Sequence, residues 1–136
     1  MKAWICPAVL LLASAAFGPL SEAQKGTVKH DSPFACDRLA LDPAARARHF
    51  DVLGPALAKM RQSFRELPNG YEFEYPPDRA TVQQLMEWVA GERLCCPFFD
   101  IEVRIEREGG PVWLRLTGRE GTKQFIQSDF ARWMRS

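Results

Sequence analysis

Cys95 and Cys96 stand side by side before Pro97, and Cys36 lies far upstream; these thiols are the residues best suited to chemistry in the chain. Thiolates favour soft or borderline cations such as Cu(I), Zn(II) and Hg(II). The adjacent pair and Cys36 would make a three-thiolate set if the segment around Cys36 packs on the pair. His49, Glu92 or Asp37 would then supply a further ligand, because zinc takes four. Adjacent cysteines depart from the Cys-x-x-Cys spacing usual for zinc, so three other readings stand beside the metal site. A disulfide from Cys36 to Cys95 or Cys96 would close a loop of about 60 residues and stabilise the fold by on the order of 4 kcal/mol. Buried thiols can also act simply as small apolar side chains. A nucleophilic cysteine needs its thiolate stabilised, whereas the pair falls at a helix C-terminus, where the dipole opposes an anion. Arg93 could offset this, but the Cys-x-x-Cys spacing is absent. The pattern therefore favours binding or a structural role over catalysis.

Other residues read more plainly. His30 lies in a polar lead-in and His49 in an Arg-rich turn, so both are expected in solvent or at a cap. Glu72 and Glu74 alternate with Tyr71, Phe73 and Tyr75, which places them on a solvated strand face. Trp113 points away from Val112 and Leu114, toward either a covering helix or a partner. Glycines 109, 110, 118 and 121 serve turns, and none fits a phosphate-binding loop.

The elements that must position the thiols follow from local patterns. Asp42-Pro43 is a helix start, with Asp as cap and Pro at the first helical position. Gly54-Pro55 should bend or break that helix, since Pro55 lacks an amide hydrogen, or else restart one carrying Leu57 and Met60. Asn69-Gly70 marks a hairpin, predicted over residues 61–67 and 71–75. The central helix opens at Asp78 or Thr81. Val82, Leu85, Met86, Val89 and Ala90 recur at helical spacing, and the count by seven from Val89 carries Cys96 onto that buried stripe. Cys95 falls on the adjacent stripe with Trp88 and Glu92, and Pro97 ends the helix. Ile101, Val103 and Ile105 alternate as a strand with one buried face. Glu108 to Pro111 turns the chain into a strand carrying Val112, Leu114 and Leu116. Phe125, Ile126, Phe130, Trp133 and Met134 mark a last amphipathic helix. The order α-β-β-α-β-β-α predicts an α+β fold, a small antiparallel sheet packed against amphipathic helices.

Length and charge bound the rest. Lys2, the apolar run from Ala8 to Phe17 and Ser21-Glu22-Ala23 read as a signal peptide over residues 1–23. The run is too short to span a bilayer, which takes about 20 residues. Its removal from 136 residues leaves about 113, room for one core: a lead-in over 24–35 and a single domain over 36–136. Export to the periplasm or medium follows, without stable membrane insertion. Cys6 would leave with the signal, so an odd three of the four cysteines remain. In an oxidising compartment at least one thiol then stays unpaired within the chain. With 18 basic and 17 acidic residues intermixed and a net charge of +1, no basic block exists to attract nucleic acid.

Four motifs recur together in a group of small bacterial proteins: Ala35-Cys36-Asp37; Glu66 to Tyr71; Arg93 to Phe98, with its Cys-Cys-Pro-Phe helix end; and Gly109 to Gly121, which reads Gly-Gly-Pro-Val-Trp-Leu-Arg-Leu-Thr-Gly before Glu120-Gly121. From Cys36 to about Phe125 the chain resembles that group, many of whose members lack an export signal. The resemblance carries no established activity; it implies an association of such segments with metal-responsive proteins.

Overall fold

In the computed structural model, residues 31–135 are described. The expected signal, Cys6 and His30 lie outside them. A helical run precedes the first hairpin: α1 (Pro43–Ala47), a six-residue π-helical segment (Arg48–Leu53) and α2 (Gly54–Met60). Asp42 caps α1 by accepting from the Ala45 amide at 2.9 Å. Gly54-Pro55 does not break the run. The Gly54 amide reaches back to the His49 carbonyl, a wide turn that absorbs the bonding pattern Pro55 interrupts, and Pro55 enters the first turn of α2 where its missing hydrogen costs least. Of the two expectations, the restarted helix with Leu57 buried is the one observed.

The hairpin forms as β1 (Ser63–Leu67) and β2 (Gly70–Tyr75) around Asn69-Gly70. Only glycine fits at position 70, where a Cβ would sit 2.0 Å from the Leu116 carbonyl oxygen. The central helix α3 (Arg79–Cys95) starts on Asp78, whose carboxylate accepts from the Thr81 amide at 3.0 Å. After it come β3 (Asp100–Ile105), β4 (Val112–Thr117) and α4 (Thr122–Asp129), with a closing 3-10 turn over Ala131–Met134. The two hairpins join into one antiparallel sheet of order β1-β2-β4-β3. The fold is α+β, with the first helix in segments and short 3-10 turns added to the predicted order.

Register explains the core. Phe73 pairs with Phe64 and Leu114, and Leu114 with Val103, so one sheet face is apolar across all four strands. Tyr71, Phe73, Tyr75, Val112, Leu114 and Leu116 are buried there against Leu85, Trp88, Ile126, Phe130 and Trp133. Trp133 meets Phe73, Tyr75, Trp88 and Phe130 within 6.3 Å between ring centres. Ile105, at the end of the edge strand β3, is exposed, although its neighbour Val112 is fully buried.

The other sheet face corrects a second expectation. Glu72 is not solvated but 2 % exposed. Arg65 and Arg115 lie opposite it on the strands to either side, and Arg104 approaches from β3 at 3.7 Å. Three guanidiniums from three strands replace the water a carboxylate would otherwise need. Trp113 lies on this face among side chains of the sheet itself: Arg65 and Arg104 lie over its ring at 4.4 and 5.6 Å, and its indole nitrogen donates to Glu106 at 3.0 Å.

Candidate metal centre

The last turn of α3 sets two of the thiols. The Cys96 amide closes the helix on the Glu92 carbonyl at 2.8 Å, and the Phe99 amide turns back onto the Cys96 carbonyl at 3.2 Å. Pro97 between them prevents another helical turn, and Phe98 and Phe99 enter the core. The segment carrying Cys36 is pinned to this end by one backbone bond, Asp37 amide to Cys95 carbonyl, at 2.7 Å. Phe34 adds a second anchor, edge-on to Phe98 at 5.2 Å with Arg119 over its ring at 4.0 Å.

These contacts bring Cys36, Cys95 and Cys96 together, their sulfurs all within 4.8 Å of one another. All three are free, the pair buried and Cys36 half-buried. A cluster of this kind can hold a metal ion. A second set, His49, Glu92 and Cys95, meets the same spacing. The two sets share Cys95 without merging into one.

The helix faces the core differently from the predicted stripe. Thr81, Leu85, Trp88, Glu92 and Cys95 are the buried line, while Met86 is 46 % exposed. Cys95 and Cys96 are both buried, so the expected division into one core-facing thiol and one lateral thiol does not hold. Cys95 does sit below Trp88 and Glu92 as its spacing requires, but that line faces inward. Glu92 tolerates burial because His49, from the π segment, meets its carboxylate at 2.9 Å.

His49 is therefore buried, not exposed or capping. Its ring stacks on Trp88 at 5.5 Å and 9° and meets Phe50 edge-on at 4.7 Å. Its Nε2 also lies 3.8 Å from the Cys95 sulfur, while its Nδ1 is buried without a hydrogen-bond partner. No local signal announces this, since His49 is flanked by Arg46 and Arg48 and its carboxylate partner is 43 positions away. Asp37 is not brought to the cluster: its carboxylate is exposed and accepts from the Leu39 amide at 3.0 Å.

Electrostatics within the trio are unequal. Hydrogen bonds from Cys95, and then from Cys96, hold the Cys36 thiol far below its ordinary value, with His49 and Arg38 adding attraction. The proximity of Cys36 pushes Cys95 and Cys96 up, and burial and the Glu92 carboxylate raise them further; the Cys95 thiol donates to the Glu92 carbonyl and carboxylate at 3.7 and 3.6 Å. The direction favours negative charge on Cys36, off the helix, over the two thiols at the helix C-terminus, where the dipole disfavours an anion. A metal binding here must displace protons from thiols, so its uptake is coupled to proton release.

An open cleft of about 730 Å³ reaches the cluster, lined in part by Cys36, His49, Glu92 and Cys96, with aromatic walls from Phe34, Phe50, Trp88 and Trp133. Among the described residues no helix is long and apolar enough to cross a membrane. Comparison with protein-family models, curated proteins and solved structures gives no match.

Proposed function

We propose that this domain captures one soft metal ion through the thiolates of Cys36, Cys95 and Cys96. The observation that carries the reading is the convergence of three free thiols from two distant segments within 4.8 Å. Soft sulfur ligands select cations such as Cu(I), Hg(II) and Zn(II) over hard ones. His49 and Glu92 stand beside Cys95 and orient it, the role that neighbouring polar groups take around metal ligands. The resemblance to segments that accompany metal-responsive proteins points the same way. In this reading the protein is exported, its amino-terminal signal removed, and it meets the ion outside the cytoplasm.

The test is a titration of the reduced protein with Hg(II) or Cu(I), followed by mass and sulfur-to-metal absorption. One ion per chain is expected, and Cys95→Ser with Cys96→Ser should abolish uptake while the helical and strand signals in circular dichroism persist. An absence of uptake by the reduced, folded protein refutes the proposal. The same proximity favours a second reading, a redox-formed disulfide from Cys36 to one of the pair. It predicts one intrachain disulfide after mild oxidation and no metal uptake after reduction.

A further inference from the structure

Resting on the thiolate-capture reading, we infer that the ion this site takes is a trivalent metalloid, arsenic(III) or antimony(III), bound by the three sulfurs alone. Charge decides between the ions. Cys95 and Cys96 are 0 % and 1 % exposed, so a net charge left on the complex sits in a poorly hydrated place, where desolvation penalises it. Three thiolates carry three negative charges. A monovalent ion leaves two of them uncompensated, a divalent ion leaves one, and a trivalent ion leaves none. Little close by absorbs the excess: His49 is paired with Glu92 at 2.9 Å, and Arg38, the cation beside Cys36, is itself exposed.

Coordination number points the same way. A zinc site wants four ligands in a tetrahedron. Here the nitrogen and carboxylate donors form their own set around Cys95 and do not join the three sulfurs in a common one. Trivalent arsenic takes three ligands in a pyramid and keeps a lone pair in the fourth position, so a closed set of three sulfurs satisfies it. The cleft supplies the approach. It reaches Cys36 and Cys96 between the aromatic rings of Phe34, Phe50 and Trp88 and charged side chains of both signs, Arg38, Asp51, Asp129 and Arg132, a mixed lining that admits a small neutral polar solute, and arsenous acid is uncharged near neutral pH.

The step balances without an oxidant. Each S–H proton leaves with one arsenic-bound hydroxyl as water while an As–S bond replaces As–O. Three As–S bonds form, three waters depart, and arsenic remains in the +3 state. Where Cys36 already lacks its proton, one from solvent completes the third water.

The experiment titrates the full, reduced chain under anaerobic conditions with arsenite and antimonite, and in parallel with Hg(II), Cu(I) and Zn(II). Native mass spectrometry reads stoichiometry, and arsenic-edge X-ray absorption reads the neighbours. The expected result is one arsenic per chain, a mass gain of one arsenic less three hydrogens, and three sulfur neighbours with no oxygen. Cys36→Ser, at a half-buried position that leaves the core filled, should convert this to a two-sulfur, one-oxygen centre, and Cys6→Ser should change nothing. If Hg(II) or Cu(I) occupies the three cysteines while arsenite binds through two sulfurs or not at all, the metalloid assignment is overturned and thiolate capture stands. If no ion engages the thiols of the folded protein, both fail.

Discussion

Gly91→Ala tests whether His49 is held as tightly as its surroundings imply. In a helix interior this change ordinarily stabilises, by about 1 kcal/mol. Here the added Cβ would lie 2.6 Å from His49 Nδ1, 3.2 Å from Cε1 and 3.3 Å from Cγ. The ring must retreat by roughly 1 Å to reach ordinary contact. It has nowhere free to go: Trp88 is stacked on one face, Phe50 meets it edge-on, and Nε2 is fixed on Glu92 at 2.9 Å. Overpacking of this kind costs about 1–3 kcal/mol, and a stretched buried hydrogen bond to a carboxylate adds about 1.5 kcal/mol or more. The clash outweighs the propensity gain, leaving a net loss of about 1.5–3.5 kcal/mol, which for a domain of this size lowers Tm by roughly 5–15 °C. Thermal and urea unfolding of the reduced variant read the loss directly. Metal uptake should weaken as well, since His49 also lies against the Cys95 sulfur. A rise in Tm with unchanged uptake would refute the packing described for His49.

Glu72→Ala should lower stability by about 2 kcal/mol in a urea titration, the scale of hydrogen bonds to a buried charge, and less if the half-exposed guanidiniums rehydrate well. Glu102→Ala on the same sheet face, its carboxylate exposed, should stay within about 0.5 kcal/mol of the parent. Trp133→Ala empties the centre of the aromatic cluster and should cost about 3–5 kcal/mol, with loss of near-ultraviolet dichroism at moderate temperature. Thr81, through its hydroxyl and then its amide, holds the Asp78 carboxyl below its ordinary value of 3.8. A folded-state value that is depressed gives stability that is complete above the unfolded value and disappears as pH falls through the folded one. Acid unfolding of Asp78→Asn should therefore lose part of the parent's pH dependence below 3.8 and keep the same slope above it.

Much of the fold was legible because local patterns agree with the tertiary structure. Asn69-Gly70 fixed the hairpin, Asp42-Pro43 and Asp78 fixed the helix starts, and the alternation around Leu114 fixed the central strand. What stayed hidden depended on partners distant in sequence. Glu92 reads as a polar break in the apolar stripe, and His49 opposite it, with the Cys95 thiol, makes burial affordable; the true inward face of α3 is therefore shifted from the one hydropathy selects. Glu72 was misread for the same reason, its three arginines coming from three other strands. His49 is turned inward by the π segment, whose extra residue per turn shifts the phase that 3.6-residue counting assumes. The thiol pair was visible from its position before Pro97. The proximity of Cys36 was not, because it hangs on a single backbone bond to Cys95 and on the packing of Phe34.

The central claim, that three thiols act as one ligand set, is tested most directly by site-resolved alkylation of the reduced protein, carried out on transfer to denaturant so that the buried Cys95 and Cys96 can react, before and after one equivalent of Hg(II) or arsenite has bound. Peptide mapping separates Cys6 from the cluster. Protection of Cys36, Cys95 and Cys96 together by that single equivalent is the predicted result. Continued alkylation of Cys36 while an ion is bound elsewhere, or protection of none of the three, would contradict it.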